Sequence, residues 1–280
     1  MQTSEIVLVG GSGKTGGRII KRLEERGLTV RAGITVRAAS RSSARPFDWE
    51  DRSTWRGALE GASSAYVAFQ PDLAVAWAAE AIEALAKVAV DCGLEHIVLL
   101  SGRGEEGAQR SEAALKASGI NTTILRASWF CQNFSEGAFL EQILSGRLQL
   151  PAGEISEPFI DADDIADAAV AALTDPRHRN KTYELTGPRA LTFRQAVAEI
   201  AQATGRPIEY EQVSMADFTG GLADAGLPQG LIDLLEELFG QVLDGRNAGT
   251  MGGVAEILGR PATDFSEYAR RTAATGLWSA

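Results

Sequence analysis

The sequence predicts an α/β protein built on a doubly wound parallel sheet, with a smaller, mostly helical lobe at its C-terminal end. Two observations lead to this prediction. An apolar run over residues 6–9 leads directly into glycines at positions 10, 13 and 16, and a helical pattern follows them. Short apolar strands and helical segments then alternate to about residue 205, and this order requires parallel strands joined by right-handed crossovers. The expected fold is therefore Rossmann-like.

The turn after the first strand has the features of a site for a diphosphate. Glycines let the backbone leave the strand sharply, and the N-terminus of the next helix offers unpaired N–H groups and the positive end of its dipole. The sequence Gly13-Lys14-Thr15 also matches the last three positions of an ATP-type phosphate loop. That motif requires a glycine five residues before Gly13, where this chain has Leu8. We therefore interpret the turn as a dinucleotide site; the alternative is an ordinary strand–helix turn.

The 280 residues, 45% of them hydrophobic, are enough for one large α/β domain with a smaller lobe. We expect residues 1–150 to form the Rossmann domain that binds the dinucleotide. Residues 151–280 should complete the sheet and form the C-terminal substrate lobe, since no long linker separates the two parts. Cys92 and Cys131 make neither a disulfide framework nor a metal set, so no metal is expected.

The net charge of −10 argues against nucleic acid as the main partner. The first 45 residues nevertheless hold nine Lys or Arg against three Glu, a net charge of +6. A basic N-terminal part in an acidic protein suits an anionic cofactor bound there. A solvated basic helix face is the alternative, and it accounts for Arg18, Arg22 and Arg26.

The longest apolar region, residues 73–90, is interrupted by Glu80, Glu83 and Lys87 and is too polar to span a bilayer. Residues 2–5 are polar, and no signal-peptide pattern follows them. We therefore expect a cytoplasmic protein without a membrane partner.

Residues 28–43 should form the second strand and the turn after it. They contain a near-repeat, because Thr29-Val30-Arg31-Ala32 returns as Thr35-Val36-Arg37-Ala38. One copy is enough for a strand, so Gly33 is expected to mark a bulge, a kink or a hairpin. Removing residues 33–38 should leave a folded protein that still binds its cofactor.

Arg41 and Ser42 follow this strand, at the position that faces the adenosine ribose in dinucleotide folds. An acidic residue there binds the ribose 2′-hydroxyl, whereas an arginine suits a 2′-phosphate. No Asp or Glu stands between positions 25 and 48. We therefore predict NADP(H) as the cofactor, with Arg41 as the main discriminator and Ser42 assisting; the alternative is a solvent-facing turn. The lesser candidates are Lys14 and Arg37.

The next elements alternate regularly. Asp48 and Trp49 are placed to flank the adenine. We predict helices over residues 54–59, 72–92 and 105–118, and strands over 65–69, 96–100 and 121–126. In the second half, residues 159–166 should form a short strand that runs into a helix, and residues 183–187 should form a strand. Thr192 should cap a helix that ends near residue 204, and mostly helices should follow residue 215.

At this point the chain resembles the NmrA-like branch of the atypical short-chain dehydrogenases. The resemblance covers about residues 5–205 and is carried by VLVGGSGKTGGRII, VRAASRSS, FDWED, HIVLLSG, EAALKASGINTTILRASWFCQNF and PFIDADDIADAAVAAL. Some members of this family reduce aromatic or quinone-like compounds. Others bind the nucleotide and act as redox sensors for a protein partner. The six-residue duplication departs from the family pattern.

The resemblance implies which residues bind the ligands. The cofactor contacts expected on this basis, with their neighbours, are Gly10, Ser12, Gly13, Lys14, Thr15, Gly16, Arg41, Ser42, Asp48, Trp49, Phe69, Gln70, Ser101 and Gly102. The stretch from Trp129 to Asn133 should lie near the nicotinamide. We expect the substrate to contact Gln109, Trp129, Phe130 and Asn133. A homodimer is also considered.

No catalytic residue is assigned. Short-chain dehydrogenases commonly use a Tyr-x-x-x-Lys pair, but no lysine lies four residues after Tyr66, Tyr183, Tyr210 or Tyr268. We interpret His96 as structural and Cys131 as a packing residue. The leading hypothesis is an NADPH-dependent reductase of a flat, conjugated or aromatic small molecule, such as a quinone, dye or imine. The alternative is a non-catalytic NAD(P)H-sensing protein that binds a protein partner.

Overall fold

The computed structural model describes residues 4–26 and 34–279, and these fall into two compact units. The first unit comprises Met1–Ala127, Ala162–Leu185 and Gly253–Arg260. The second comprises Ser128–Asp161, Thr186–Gly252 and Pro261–Ala280. The chain therefore passes between the units several times, whereas the sequence suggests a single division near residue 150.

The described residues form ten β-strands and eleven α-helices. The strands are β1 (Ser4–Val9), β2 (Ile34–Ala39), β3 (Ser64–Val67), β4 (His96–Gly102), β5 (Asn121–Ala127), β6 (Arg147–Leu150), β7 (Ser156–Glu157), β8 (Thr182–Leu185), β9 (Leu191–Thr192) and β10 (Glu209–Gln212). The helices are α1 (Lys14–Glu25), α2 (Ser53–Leu59), α3 (Ala78–Asp91), α4 (Glu106–Ala117), α5 (Leu140–Ser145), α6 (Ala162–Thr174), α7 (Phe193–Thr204), α8 (Met215–Asp224), α9 (Gln229–Glu237), α10 (Gly253–Leu258) and α11 (Phe265–Ala274).

The first unit is built on a sheet of six described strands in the order β2-β1-β3-β4-β5-β8, and every neighbouring pair is parallel. The chain adds β2 on one side of β1 and then β3 on the other, so the strand order reverses beside β1. This confirms the predicted doubly wound parallel sheet. Gly10 and Ser101 lie at the carboxyl ends of β1 and β4, on the same edge of the sheet, where such folds bind their ligands.

Strand β1 is buried on both faces, which explains its uninterrupted apolar sequence. Its residues from Ile6 to Val9 are at most 2% exposed. Val7 and Val9 belong to the core cluster that also contains Trp55 and Leu99. Helices α2, α3 and α4 pack together, and α1 packs separately against α6. The sheet of the first unit therefore has a helical layer on each face.

The second copy of the repeat forms the strand. Residues 35–38 lie within β2, which pairs with β1 from Ser4↔Ile34 to Val9↔Ala39. The first copy, with Gly33, lies outside the described residues. The expected bulge, kink or hairpin at Gly33 therefore stays a prediction.

The basic face of α1 is paired with acidic residues of α6. Arg22 donates to Asp163 and to Asp167, each at 2.7 Å, and Arg18 lies 3.3 Å from Asp163. The side chain of Arg22 is only 18% exposed. The interpretation of this face as solvated is therefore wrong for Arg18 and Arg22, because α6 supplies their partners, and the partners of Arg22 lie 141 and 145 residues later in the chain.

The second unit combines helices with two small sheets. Strands β6 and β10 pair in parallel, and β7 and β9 pair antiparallel. Neither sheet is predicted from the sequence. Helix α7 begins as predicted, since Thr192 and Gln195 form a capping box at its N-terminus. The ring of Phe193 lies in the aromatic core of this unit, 5.1 Å from Phe159 and 5.9 Å from Phe239.

Among the helices that the structure describes, none is both long and apolar enough to cross a membrane.

Candidate functional site

The glycine turn after β1 has the close backbone packing that a dinucleotide site requires. Gly10 has a φ of +85°, a conformation that favours glycine, and its carbonyl accepts the N–H of Gly13 at 2.9 Å. A Cβ on Gly16 would lie 2.3 Å from the carbonyl oxygen of Gly10 and 2.6 Å from Cα of Gly11. The first turn of α1 is thus held tightly against the loop, and only glycine fits at position 16.

Helix α1 begins directly after this turn, with Gly13 as its N-cap and no side-chain cap among the described residues. Its first backbone N–H groups therefore lie where a phosphate could accept hydrogen bonds. The side chain of Thr15 has a structural role, because its hydroxyl accepts a 2.8 Å hydrogen bond from the buried hydroxyl of Tyr66. Burial raises the pKa of Tyr66 well above its usual range. Thr15 can thus offer a ligand its backbone N–H, while its hydroxyl is engaged.

A cleft of about 590 Å³ opens beside the turn in the first unit. It brings together seven of the predicted cofactor residues, which come from three loops. These seven are Gly10, Ser12, Arg41, Ser42, Asp48, Trp49 and Gln70. Pro71, which the sequence predicts beside the cofactor together with Gln70, also lines the cleft. The lining residues that sequence reasoning did not assign are Ala39, Ser40, Phe47, Glu50 and Trp77.

The loop after β2 is organised by Ser43, and Arg41 projects from it. The Ser43 hydroxyl donates to the carbonyl of Ser40 at 2.9 Å and accepts the Ser40 N–H at 3.3 Å. Arg41 and Ser42 are exposed beside the cleft, and Arg41 makes no ion pair within the described part of the chain. Nearby, the carboxylate of Asp48 accepts the backbone N–H of Glu50 at 3.1 Å. The guanidinium thus stands beside the cleft while Asp48 bonds within its own loop.

Aromatic rings form one wall of the cleft. The ring of Phe69 lies 4.4 Å from Trp49 and 4.7 Å from Trp77, measured between centroids, and Phe47 lies 4.9 Å from Trp49. Phe69 therefore supports two tryptophans that line the cleft. Such a wall suits a flat ring.

Trp77 joins this wall because α3 begins later than predicted. The sequence predicts a helix from residue 72, but Asp72 instead accepts the N–H of Ala74 at 2.8 Å and forms a turn. Trp77 becomes the N-cap of α3 and stays 40% exposed. The turn-forming tendency of an aspartate after a proline was the available signal for this boundary.

Ser101 and Gly102 end β4 at the same edge of the sheet, but the Ser101 side chain bonds within the protein. Its hydroxyl donates to Oε1 of Glu112 at 2.7 Å. Glu112 is 2% exposed and also accepts two hydrogen bonds from Arg126, at 2.8 and 2.7 Å. These bonds to Glu112 are the main cause that raises the pKa of Arg126. Gln109 lies on the same helix as Glu112 and is exposed.

The three aromatic and amide residues predicted to contact the substrate lie in the second unit. Trp129, Phe130 and Asn133 are half-buried, while Cys131 between them is fully buried, as a packing residue should be. The ring of Trp129 contacts Phe193 at 5.4 Å and a second phenylalanine of the core at 5.0 Å. The stretch therefore keeps Trp129, Phe130 and Asn133 partly accessible, while the Trp129 ring packs against the aromatic core.

Comparisons with known proteins identify the family of the chain. The model of the NmrA-like family matches residues 109–269, and the model of an NAD(P)H-binding family matches residues 10–176. The NAD(P)H azoreductase of Xenophilus azovorans is 30% identical over an alignment of 287 positions. The alignment covers 96% of this chain and 98% of the azoreductase.

Two solved structures share the fold. The triphenylmethane reductase of Citrobacter sp., complexed with NADP(H), has a TM-score of 0.79 at 21% identity, covering 96% of this chain and 99% of that one. The quinone oxidoreductase QOR2 of Escherichia coli, complexed with NADPH, has a TM-score of 0.76 at 24% identity, covering 95% and 99%. With the glycine turn and the matches to the two family models, these findings show that the chain belongs to the NmrA-like family of NAD(P)H-binding proteins.

Proposed function

We propose that the chain is an NADPH-dependent reductase that transfers hydride to a flat, conjugated or aromatic small molecule, such as a quinone, a dye or an imine. The observation that carries the proposal is the cleft of the first unit, which joins the glycine turn, Arg41 and an aromatic wall. The names of the similar proteins support it, since they include an azoreductase, a triphenylmethane reductase and a quinone oxidoreductase.

The preference for NADPH over NADH rests on Arg41. Its guanidinium is exposed at the cleft beside the hydroxyls of Ser40 and Ser42, and it can hold a phosphate through two charge-assisted hydrogen bonds. Asp48 and Glu50 also line the cleft and are the residues that would bind a ribose 2′-hydroxyl if NADH were preferred. The Asp48 carboxylate already accepts the N–H of Glu50, so it is less available to a ribose 2′-hydroxyl. This favours NADPH bound through Arg41.

The bound nucleotide supplies the hydride, and the protein supplies orientation. Ser101 is a poor proton donor, because its hydrogen is directed to the carboxylate of Glu112. A substrate that carries its own electron sink accepts hydride without a strong protein acid. This argues for an electron-poor conjugated acceptor, and we propose Trp129, Phe130 and Asn133 as the residues that contact it, with the exposed Gln109 as a further candidate.

The proposal is tested by following the absorbance of reduced nicotinamide in the presence of quinones, azo dyes, triphenylmethane dyes and imines. We expect oxidation of NADPH with at least one of these classes and none with the protein alone. Gly16→Val, which blocks the turn, is the inactive control. Tight NADPH binding without oxidation by any acceptor would overturn the proposal and leave the nucleotide-sensing alternative. Sedimentation at several protein concentrations would test whether the chain forms a homodimer.

A further inference from the structure

The stretch proposed to contact the substrate, residues 128–134, is held in place by hydrogen bonds to side chains of its own unit. We call it the substrate segment. At its start, the hydroxyl of Ser128 donates to the carboxylate of Glu157 at 3.1 Å. In its middle, the amide of Gln132 donates to Oδ1 of Asp161 at 2.8 Å, and both residues are at most 2% exposed. The segment is therefore held by buried polar contacts as well as by its backbone.

The C-terminal tail contributes a third anchor. Trp278 is fully buried, and its indole N–H donates to the carbonyl of Phe134 at 3.0 Å. The indole packs against Tyr268 with 5.9 Å between ring centroids. Arg206 in turn donates to the carbonyl of Trp278, which holds the tail in place.

Helix α11 supports the middle anchor. The guanidinium of Arg271 donates to Oδ2 of Asp161, the same carboxylate that accepts the amide of Gln132. Asp161 is fully buried, so this charge depends on its hydrogen-bond donors. Arg271 and Gln132 are thus linked through one carboxylate.

These two contacts reach the residues on either side of Asn133. Gln132 is held through Asp161 by Arg271, and Phe134 is held by Trp278. We infer that Arg271 and Trp278 are positioning residues that set acceptor specificity by fixing the placement of Asn133, an inference that rests on the proposed function. Their loss lets the segment shift while the nucleotide cleft, whose lining lies entirely in the first unit, keeps its residues.

The first test compares Trp278→Phe with Leu277→Ala. The phenylalanine keeps an aromatic ring but removes the N–H that Phe134 accepts, while Leu277 is a 40% exposed neighbour in the same tail. One lost hydrogen bond corresponds to roughly a two- to tenfold effect. We expect Trp278→Phe to raise the KM for the acceptor about two- to tenfold, with NADPH affinity unchanged. Leu277→Ala should leave both quantities unchanged.

The second test compares Arg271→Gln, which replaces the charged donor to Asp161 with a neutral amide, with Arg270→Gln. Arg271 is 47% exposed, and Arg270 is an exposed neighbour that pairs with Glu267 at the surface. Arg271→Gln should raise the acceptor KM and alter the ratio of kcat/KM between a small quinone and a bulky dye. Arg270→Gln should change neither. Thermal unfolding of all four variants separates repositioning from a general loss of stability.

The outcomes distinguish this inference from the proposed function. If none of the acceptors supports oxidation of NADPH by the wild type, the proposed function fails, and the inference fails with it. If the wild type is active and the Trp278 and Arg271 variants keep its acceptor KM and specificity ratio, only the inference fails. Parallel losses of acceptor and NADPH binding that follow thermal stability would also overturn it, because they indicate a purely structural role.

Discussion

The hydroxyl of Ser101 donates a 2.7 Å hydrogen bond to Oε1 of Glu112, a carboxylate that Arg126 grips with two further hydrogen bonds. Ser101 thus lies near the carboxyl end of β4, at the edge of the sheet where such folds bind their ligands. Its hydroxyl hydrogen is already used in the bond to Glu112. Toward a ligand it can accept a hydrogen bond but cannot readily donate one. A serine at this place can orient a ligand without protonating it.

Ser101→Ala should therefore lower the free energy of unfolding clearly, while the rate of hydride transfer should fall only slightly. It removes a hydrogen bond to a charged group, worth about 1.5–3 kcal/mol. The loss in kcat should stay well below the roughly hundredfold or more that removal of a general acid costs. Chemical denaturation and single-turnover oxidation of NADPH measure the two effects. Ser111→Ala, at a buried serine that bonds a backbone carbonyl, is the control. A hundredfold fall in kcat would show that Ser101 acts as an acid.

Arg41→Ala should weaken NADPH binding roughly ten- to a hundredfold, since charge-assisted hydrogen bonds contribute about 1.5–3 kcal/mol. NADH lacks the 2′-phosphate and should bind as before. The measurement is a titration of both nucleotides. Arg45→Ala is the matched control, because Arg45 lies in the same loop but donates to the carbonyl of Glu60 at 3.0 Å. Equal losses for the two nucleotides, or tighter wild-type binding of NADH, would contradict the assignment, and the second outcome would point to Asp48 as the ribose ligand.

Gly16→Ala should impair nucleotide binding, because its Cβ would lie 2.3 Å from the carbonyl of Gly10, a backbone atom that cannot rotate away. Overpacking of this kind costs about 1–3 kcal/mol, or roughly five- to more than a hundredfold in affinity. Gly17→Ala is the control, since its Cβ would meet no atom within 4 Å. That helical substitution should stabilise the protein by about 0.5–1 kcal/mol. Thermal unfolding with and without NADPH tests both, and similar behaviour of the two variants would refute the argument.

Asn133→Ala should reduce turnover of the acceptor roughly two- to tenfold, as expected for one lost hydrogen bond, and leave NADPH affinity unchanged. The backbone contacts at this position, from its N–H to Phe130 and from Phe139 to its carbonyl, do not depend on the side chain. Steady-state kinetics with varied acceptor and a separate NADPH titration give the two values. Unchanged kinetics would remove Asn133 from the substrate site.

Stability should fall as the pH drops from 6.5 toward 4, in part because of His96. Burial, with smaller contributions from Arg179 and His178, lowers the pKa of His96 to about 4 from its usual 6.5. Between these values the unfolded chain binds a proton that the folded protein does not, so protonation favours unfolding. The effect is on the order of 3 kcal/mol when the pH reaches the folded pKa. Urea denaturation at several pH values should show a weaker pH dependence for His96→Gln than for the wild type, and identical slopes would contradict this.

The sequence by itself determined the features that depend on neighbouring residues. The glycines at 10 and 16 predict the turn after β1, since a left-handed φ and a missing Cβ are local requirements. Thr192 predicts the start of α7, where the structure adds Gln195 to form a capping box. The helix predicted to end at residue 92 ends just before Gly93, whose φ is +78°. Alternation of strands and helices then predicts the parallel sheet and the edge at which Arg41 and Ser101 stand.

Only the tertiary structure decided how side chains from distant segments pair. Tyr66 donates a hydrogen bond to the hydroxyl of Thr15, which lies 51 residues earlier in the chain. The carboxylate of Glu112 accepts a hydrogen bond from the hydroxyl of Ser101. The pairing of β6 with β10 and the contact of Trp278 with Phe134 join segments about 60 and 144 residues apart. No local pattern encodes these partners, because burial and hydrogen bonding between remote segments depend on where the whole chain brings them.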